Sequence, residues 1–476
     1  TPSIVSGTMK PDTESTPSRR LPTREHSLVR MLRRAAQLKT NARRASARFT
    51  TWRLAIFAVG LFGSIIPHKL GWTLLGNATL AFSFMLFLIV AWHHNRLEDR
   101  LHRLRRWQGI KQVHLARMRL GWADIPFRPV PVPERHGYAT DLDLAGPHSL
   151  LHLINNTVSS QGQERLASWL FDQPPEPAQW AGRQALIREL TPLSLLRDRL
   201  SLEAQAVEDA DIDGRRLLAV LQKRVDSPSF MPMLLTETFL ALATAGLMLT
   251  DLVYGIGNYW MLSFGLYAFL FLSVRSRSEE IFDHAQSLHR QLERLSAVIG
   301  YLERRSYRAA PRLAELCRPL LQQDTSPSTS LKQAASVMNR LSVRAHPLVH
   351  YLINAFGPWD LYHTYRLQHL QDRIAAVAPQ WFELLAELDA AASLATFAYL
   401  HPDYPWPSLQ QPDDAAHLNG AGPILDAQGL AHPLIPAKAR VANHIVFQER
   451  GRMFLVTGSN MSGKSTMLRT VGINAV

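Results

Sequence analysis

A mainly α-helical fold, with two apolar helical hairpins and the start of an α/β phosphate-binding domain, is predicted by three observations. Regions 51–93 and 230–274 each hold a pair of apolar segments with almost no charge. Outside them, leucine and isoleucine recur at helical spacing over long stretches. Near the end of the chain, an apolar run breaks at a loop that satisfies G-x-x-x-x-G-K-[ST] at Gly458, Gly463, Lys464 and Ser465.

The 476 residues suffice for about three domains. A single cysteine, Cys317, rules out an internal disulfide and fits a reducing compartment. The chain lacks an initiator Met and stops at Val476, just inside the helix after the loop, so it is expected to be a fragment. Its net charge of +13 is lopsided: residues 1–135 carry a net +16 and the rest a net −3.

Residues 1–50 are expected to form a basic, largely disordered tail, rich in Pro, Ser, Thr and Arg up to residue 28 and helix-compatible beyond. No apolar core followed by a small-residue cleavage site marks a signal peptide. In 51–93, Leu54 to Ile66 is short for a bilayer crossing, whereas Gly71 to Trp92 is long enough; Pro67-His68-Lys69-Leu70 separates them. Arg53 can snorkel to extend the first. Arginines on both flanks place both ends on the cytoplasmic side of a multi-pass inner membrane protein. This topology accounts for most of the basic excess; a nucleic-acid-binding arm is the competing reading. Residues 94–135 read as a basic amphipathic helix, suited to anionic lipid or to a neighbouring helix, followed by a linker at Pro126, Pro129, Pro131 and Pro133.

A soluble core opens at 136–229, with helices expected over Leu151 to Asn156, Gly162 to Leu170, Trp180 to Leu190 and Leu196 to Leu202. Asp141 and Asp143, and Asp209, Asp211 and Asp213, could bind a cation but are read as turn and cap residues. Region 230–274 is a second hairpin, split at Asp251 into a short half, Thr238 to Thr250, and a long half, Leu252 to Val274. Glu237 and Asp251 are expected at the membrane interfaces rather than in an ion path. Residues 275–401 are expected to supply long helices: a heptad-like stripe at Ile281, Leu288, Leu292, Leu295, Ile299 and Leu302, then Trp359 to Leu400. His346 and His350 share i, i+4 spacing, but the intervening Pro347 and the lack of a third ligand argue against zinc. Residues 402–430, rich in Pro, Asp and Gly, mark a linker, and 431–476 begin the α/β domain with strands at 445–447 and 454–456.

The loop chemistry follows from its residues. Glycines let backbone N–H groups approach phosphate oxygens, and the helix beginning at Thr466 adds its unpaired donors and positive dipole end. Gly458, Ser459, Asn460, Met461, Ser462, Gly463, Lys464, Ser465 and Thr466 are thus the expected ATP-binding residues. Lys464 is expected to reach the β- and γ-phosphates, and Ser465 to ligate Mg²⁺. No residue of this chain is assigned as catalytic. A Walker-B carboxylate and a water-positioning group are expected from later strands, so hydrolysis is expected of the intact protein only.

With its Asn460-Met461 pair, this loop resembles the P-loop of MutS-type ATPases. His432-Pro433-Leu434-Ile435 and Val441-Ala442-Asn443 resemble the lead-in to that family's ATPase domain, and 141–202 resembles the start of its core. The resemblance implies a helical core and lever, and an ATP site completed by a signature segment across a homodimer. It also implies a DNA-linked, mismatch-repair-like role, with no small-molecule substrate beyond ATP. The family's mismatch-reading domain, with its Phe-x-Glu wedge, has no counterpart: a basic tail and an apolar hairpin stand in its place. Phe447-Gln448-Glu449 is a coincidental match between two strands. The combined expectation is a membrane-anchored MutS-like ATPase with lipid and DNA as partners. The alternatives are an ATP-driven transporter component and an ATP-regulated membrane tether without a DNA role.

Overall fold

The structure is a computed structural model. It describes residues 22–131, 137–172, 175–205, 213–222, 230–322, 326–341, 347–409, 425–447, 455–459 and 463–476. The fold is mainly helical, and the chain divides into two compact units between Asp124 and Ile125.

The first unit is a pair of very long antiparallel helices, α1 (Pro22–Lys69) and α2 (Thr73–Arg119). Residues 22–50, expected within a largely disordered tail, are therefore helical. They contain no proline after Pro22 and no glycine, so nothing in the run interrupts propagation. The pairing keeps one register from end to end. Gly76 packs on His68, Gly60 on Ser83, and Arg53 over the Phe87 ring. Ser46 reaches His94 at 3.1 Å, and Arg119 pairs with Glu25 at 2.6 Å. The stretch after residue 94 is thus the continuation of α2, not a separate amphipathic helix. The turn falls where expected, with Gly71 in the left-handed region at φ 78°.

The second unit holds helices α3 (Leu150–Ile154), α4 (Ser160–Phe171), α5 (Pro177–Leu190), α6 (Ser194–Ala204) and α7 (Gly214–Gln222). An apolar pair follows, α8 (Phe230–Tyr254) and the 44-residue α9 (Trp260–Glu303). Then come α10 (Pro311–Leu321), α11 (Pro327–Leu341), α12 (Pro347–Phe356) and the 42-residue α13 (Trp359–Leu400). The main core lies where α9, α11 and α13 pack: Leu292, Leu295, Ile299 and Leu302 of the expected stripe meet Leu331, Met338, Leu367, Ile374 and Trp381. Ile281 and Leu288 belong to a stretch whose side chains lie outside the described part. Cys317 is fully buried in this core, and burial pushes its thiol up to about 11.

Among the described residues three helices, Arg24–Lys69, Thr73–Arg119 and Met231–Tyr254, are long and apolar enough to cross a membrane; Trp260–Ser273 is apolar but shorter. The division of the second hairpin differs from expectation. The break comes at 255–259 rather than at Asp251, so the first half is the long one. Gly255 and Gly257, at φ 63° and 95°, supply the left-handed turn, and Asp251 Oδ1 accepts from the Gly257 N–H at 2.8 Å. The uncharged run therefore gave the wrong boundary, and the two glycines set the observed one.

Strands are few. Among the described residues, β1 (Leu425–Leu430) and β2 (Asn443–Phe447) form a two-stranded antiparallel sheet. The partner expected for 445–447 was 454–456; Phe454 lies outside the described residues, and Leu455 and Val456 are exposed and outside any strand. A central strand of a parallel sheet is stable only between neighbours that satisfy its ladder and cover its faces. Here β1 and β2 satisfy each other, with β1 arising inside the stretch expected to be a linker.

Candidate nucleotide site

The loop leads directly into the last helix, α14 (Lys464–Ala475). Gly463 caps its start at φ 83°, a conformation that strains any residue with a Cβ. Lys464 Nζ donates to the carbonyl oxygens of Gly458 and Ser459 at 2.5 and 2.6 Å, folding its ammonium over the loop. Ser465 and Thr466 are exposed in the first turn, which holds no acidic residue, so the positive end of the helix dipole is not neutralised. Six of the nine sequence-predicted residues are thereby brought together: Gly458, Ser459, Gly463, Lys464, Ser465 and Thr466. Asn460, Met461 and Ser462 lie outside the described residues.

The far side of α14 is what fixes the loop to the unit. Ile473 is buried with Ala139, Leu144, Leu151, Ile154 and Leu166 in a second apolar cluster. Arg469 pairs with Asp143 at 3.2 Å, and Asn474 Nδ2 donates to the Ala431 carbonyl at 3.1 Å. Asp143, weighed in the sequence as half of a cation pair, is thus a turn residue at φ 52° with an arginine partner. The ring of His432 is buried and its Nδ1 accepts from the Leu434 N–H; burial holds the imidazole below its usual range and therefore neutral. Arg440 binds the carbonyls of Ile435 and Pro433, tying the approach to the loop into one bend. No sequence pattern pointed to Arg469, Asn474 or Arg440, because their partners are backbone carbonyls or distant in the chain.

Part of this chain resembles the DNA mismatch repair protein MutS. The MutS of Lactobacillus delbrueckii subsp. bulgaricus is 33% identical over 110 residues, 22% of this chain and 12% of that protein. The MutS of Lawsonia intracellularis is 33% identical over 109 residues, covering 22% and 11%. That of Nitratidesulfovibrio vulgaris is 33% identical over 113 residues, covering 23% and 12%. The chain thus spans only about an eighth of the length of these relatives. No family model matches it.

Asp213 and His350, of the remaining candidates, have partners within the fold. Asp213 Oδ1 accepts from the Arg216 N–H at 3.1 Å and so caps α7; Asp209 and Asp211 lie outside the described residues. His350 Nε2 meets Asp360 Oδ2 at 2.5 Å, and His346 lies outside the described residues. Among the described residues no group of three metal-ligating side chains occurs. Glu237, expected at an interface, is only 2% exposed and sits within electrostatic reach of Asp360.

The sequence reading also missed Asp389. Its carboxylate accepts from the Val158 N–H, the Ser159 N–H and Ser159 Oγ at 2.7–3.1 Å, closing the start of α4 from α13. A Cβ on Gly162 would come within 2.3 Å of it, so the glycine is required by close approach. Burial nevertheless raises Asp389 to about 6 against those hydrogen bonds. Beside it lies a cavity of about 50 Å³ lined by Asn156, Arg197, Ser201, Phe382 and Thr396. The available signal was the pair of acids, Glu387 and Asp389, within the otherwise apolar Leu384–Leu400 stretch.

Proposed function

We propose that this chain belongs to a membrane-anchored MutS-like ATPase that binds ATP with Mg²⁺ at Gly458–Thr466 and couples nucleotide state to DNA binding as a dimer. The observation that carries this reading is the helix N-terminus itself. An αL glycine, a lysine over the loop and an exposed Ser465 share one turn, free of acidic residues and docked on the core through α14. That donor set fits a polyphosphate: backbone N–H groups and the helix dipole favour the anion, and an ammonium adds a point charge.

In this reading Lys464 exchanges two carbonyl partners for phosphate oxygens, Ser465 offers its hydroxyl to Mg²⁺, and Thr466 and Ser459 line the cradle. Bound Mg²⁺ would neutralise phosphate charge. No residue here is given a hydrolytic step. The similarity to MutS and the three helices able to cross a membrane support the anchored, DNA-linked part of the proposal. α14 contacts the segment 139–166, which continues into α4 and thence to α13, so loop rearrangement has a packed route into the long helices.

The test is Mg·ATP binding by the intact chain in detergent, read with a fluorescent ATP analogue and competed by ATP. Lys464→Ala is expected to weaken binding at least about tenfold, the loss of one charge-assisted contact of about 1.5–3 kcal/mol. Unchanged affinity overturns the assignment. ATP binding with no effect on DNA affinity would leave the transporter-component and tether readings.

A further inference from the structure

We infer that the outer face of α1 beyond the membrane is a docking surface for a nucleic-acid backbone, with Arg30, Arg33 and Arg34 as its distal contacts. This rests on the membrane and DNA parts of the reading above and not on the nucleotide part. Three observations carry it.

The first is distance. α1 is one helix from Pro22 to Lys69, and its apolar part begins at Leu54. A helix that crosses a bilayer and continues without a break cannot also lie on the bilayer surface. At about 1.5 Å per residue, Arg30, Arg33 and Arg34 stand roughly 30–35 Å along the axis from Arg53. The Debye length at physiological ionic strength is about 8 Å, so the field of anionic headgroups has decayed well before them. Positive-inside sorting and lipid attraction account for Arg48, Arg53, Arg96 and Arg100. They do not account for the distal three.

The second is the face. At 3.6 residues per turn, Arg30, Arg33, Arg34, Arg44 and Arg48 fall within an arc of about 100°. The buried Leu28 and Ala35 lie on the opposite side of the helix, and all five arginines are exposed. The five span about 27 Å of helix, enough to track several successive phosphates of a duplex.

The third is the lack of counter-charge. α1 has no acidic residue beyond Glu25, and Glu25 is taken by Arg119. Among the described residues Arg30, Arg33 and Arg34 have no ion-pair partner. Arg30 with Arg34, and Arg44 with Arg48, are like charges at i, i+4, which weaken a helix. A repulsive stripe held on a long rod and turned outward is complementary to a linear polyanion. Guanidinium groups suit phosphate oxygens through bidentate hydrogen bonds, without reading sequence.

The experiment uses the intact chain in nanodiscs of neutral phosphatidylcholine, without nucleotide. Binding to a short fluorescent DNA duplex is followed by anisotropy across a salt series. One variant combines Arg30→Gln, Arg33→Gln and Arg34→Gln; a proximal control combines Arg96→Gln, Arg100→Gln and Arg103→Gln. Glutamine keeps helix propensity, and circular dichroism checks that α1 still forms. The distal variant is expected to lose at least about tenfold in affinity. Its log–log salt slope should fall by about 2–3, near 0.9 per phosphate contact removed. The proximal variant should lose less than about threefold. DNA binding indifferent to the distal change overturns this inference and leaves the DNA reading intact. No DNA binding by the unsubstituted protein overturns both. A distal variant that keeps DNA but loses binding to phosphatidylserine vesicles added in trans overturns it in favour of a second membrane.

Discussion

The first apolar hairpin is closed along a seam of small and polar residues, Gly60 on Ser83, Ser46 with His94, Gly76 on His68. The second is fastened to the helical core by a buried polar network. Tyr267 on α9 donates to the Asn354 carbonyl, and Asn354 Nδ2 donates to the His350 carbonyl at 2.9 Å. Asn354 Oδ1 accepts from the Asp360 N–H at 3.1 Å, and His350 meets Asp360 side by side. Met233 and Leu234 of α8 pack on Leu361 next to it, with Glu237 one turn further along. Small-residue packing lets two helices approach closely and asks nothing of the rest of the protein. A buried, multiply bonded polar cluster on α9, α12 and α13 links any shift of α13 to the hairpin. The difference teaches that similar apolar sequences can close on each other in one place and be tied to neighbouring helices in another.

Cutting the network should give the largest effect. Asp360→Ala removes the acceptor of buried His350 and is expected to cost about 3–5 kcal/mol, the scale for breaking a buried pair from one side. Arg53→Ala is the matching change in the first hairpin, since Arg53 also faces a histidine, His94, and lies over Phe87. It should cost below about 1 kcal/mol. Thermal unfolding in one detergent compares them directly. Equal losses would mean that the second hairpin is no better fastened than the first.

This contrast was only half legible in the sequence. Length, lack of charge and helical spacing located both apolar regions, and α13 matches the expected Trp359 to Leu400 at both ends. Periodicity and composition are local, and helices are local structures. What failed was non-local. Glu237 looked like an interfacial carboxylate because its neighbour Asp360 is over a hundred positions away. Strand 454–456 was expected from β-branched content, although strands exist only when a partner does, and β2 pairs with a segment read as linker. At the nucleotide site the glycines, lysine and serine were legible as spacing. The clamp beneath them, Arg469 to Asp143 and Ile473 in its cluster, was not.

The seam of the first hairpin can be broken at Gly60. A Cβ on Gly60 would lie 2.4 Å from Ser83 Cβ, so Gly60→Leu must push the helices apart. The expected cost is about 1–3 kcal/mol, the usual range for overpacking. Cysteines at Ser46 and His94 report the separation through loss of disulfide crosslinking. If the hairpin is a rod closed by its own seam, Mg·ATP affinity of the same variant stays unchanged. A nucleotide affinity that falls with the crosslink would give the first hairpin the coupling assigned to the second.

The smallest effect is expected at the end of the rod. Arg119 and Glu25 pair at 2.6 Å but are 55% and 37% exposed, so their attraction is screened and offset by side-chain ordering. Arg119→Ala should shift stability by less than about 0.5 kcal/mol, and the shift should vanish in high salt. Hydrogen exchange is the sensitive readout, because the loss frees only the first turns of α1 to fray. Leu28, 1% exposed, lies in the next turn and should stop that fraying before Arg30. Exchange protection that falls only before Leu28 keeps the arginine stripe on a formed helix even when its tip is loose. Protection lost through Arg34 would instead make the pair a clamp on which the whole outer face depends.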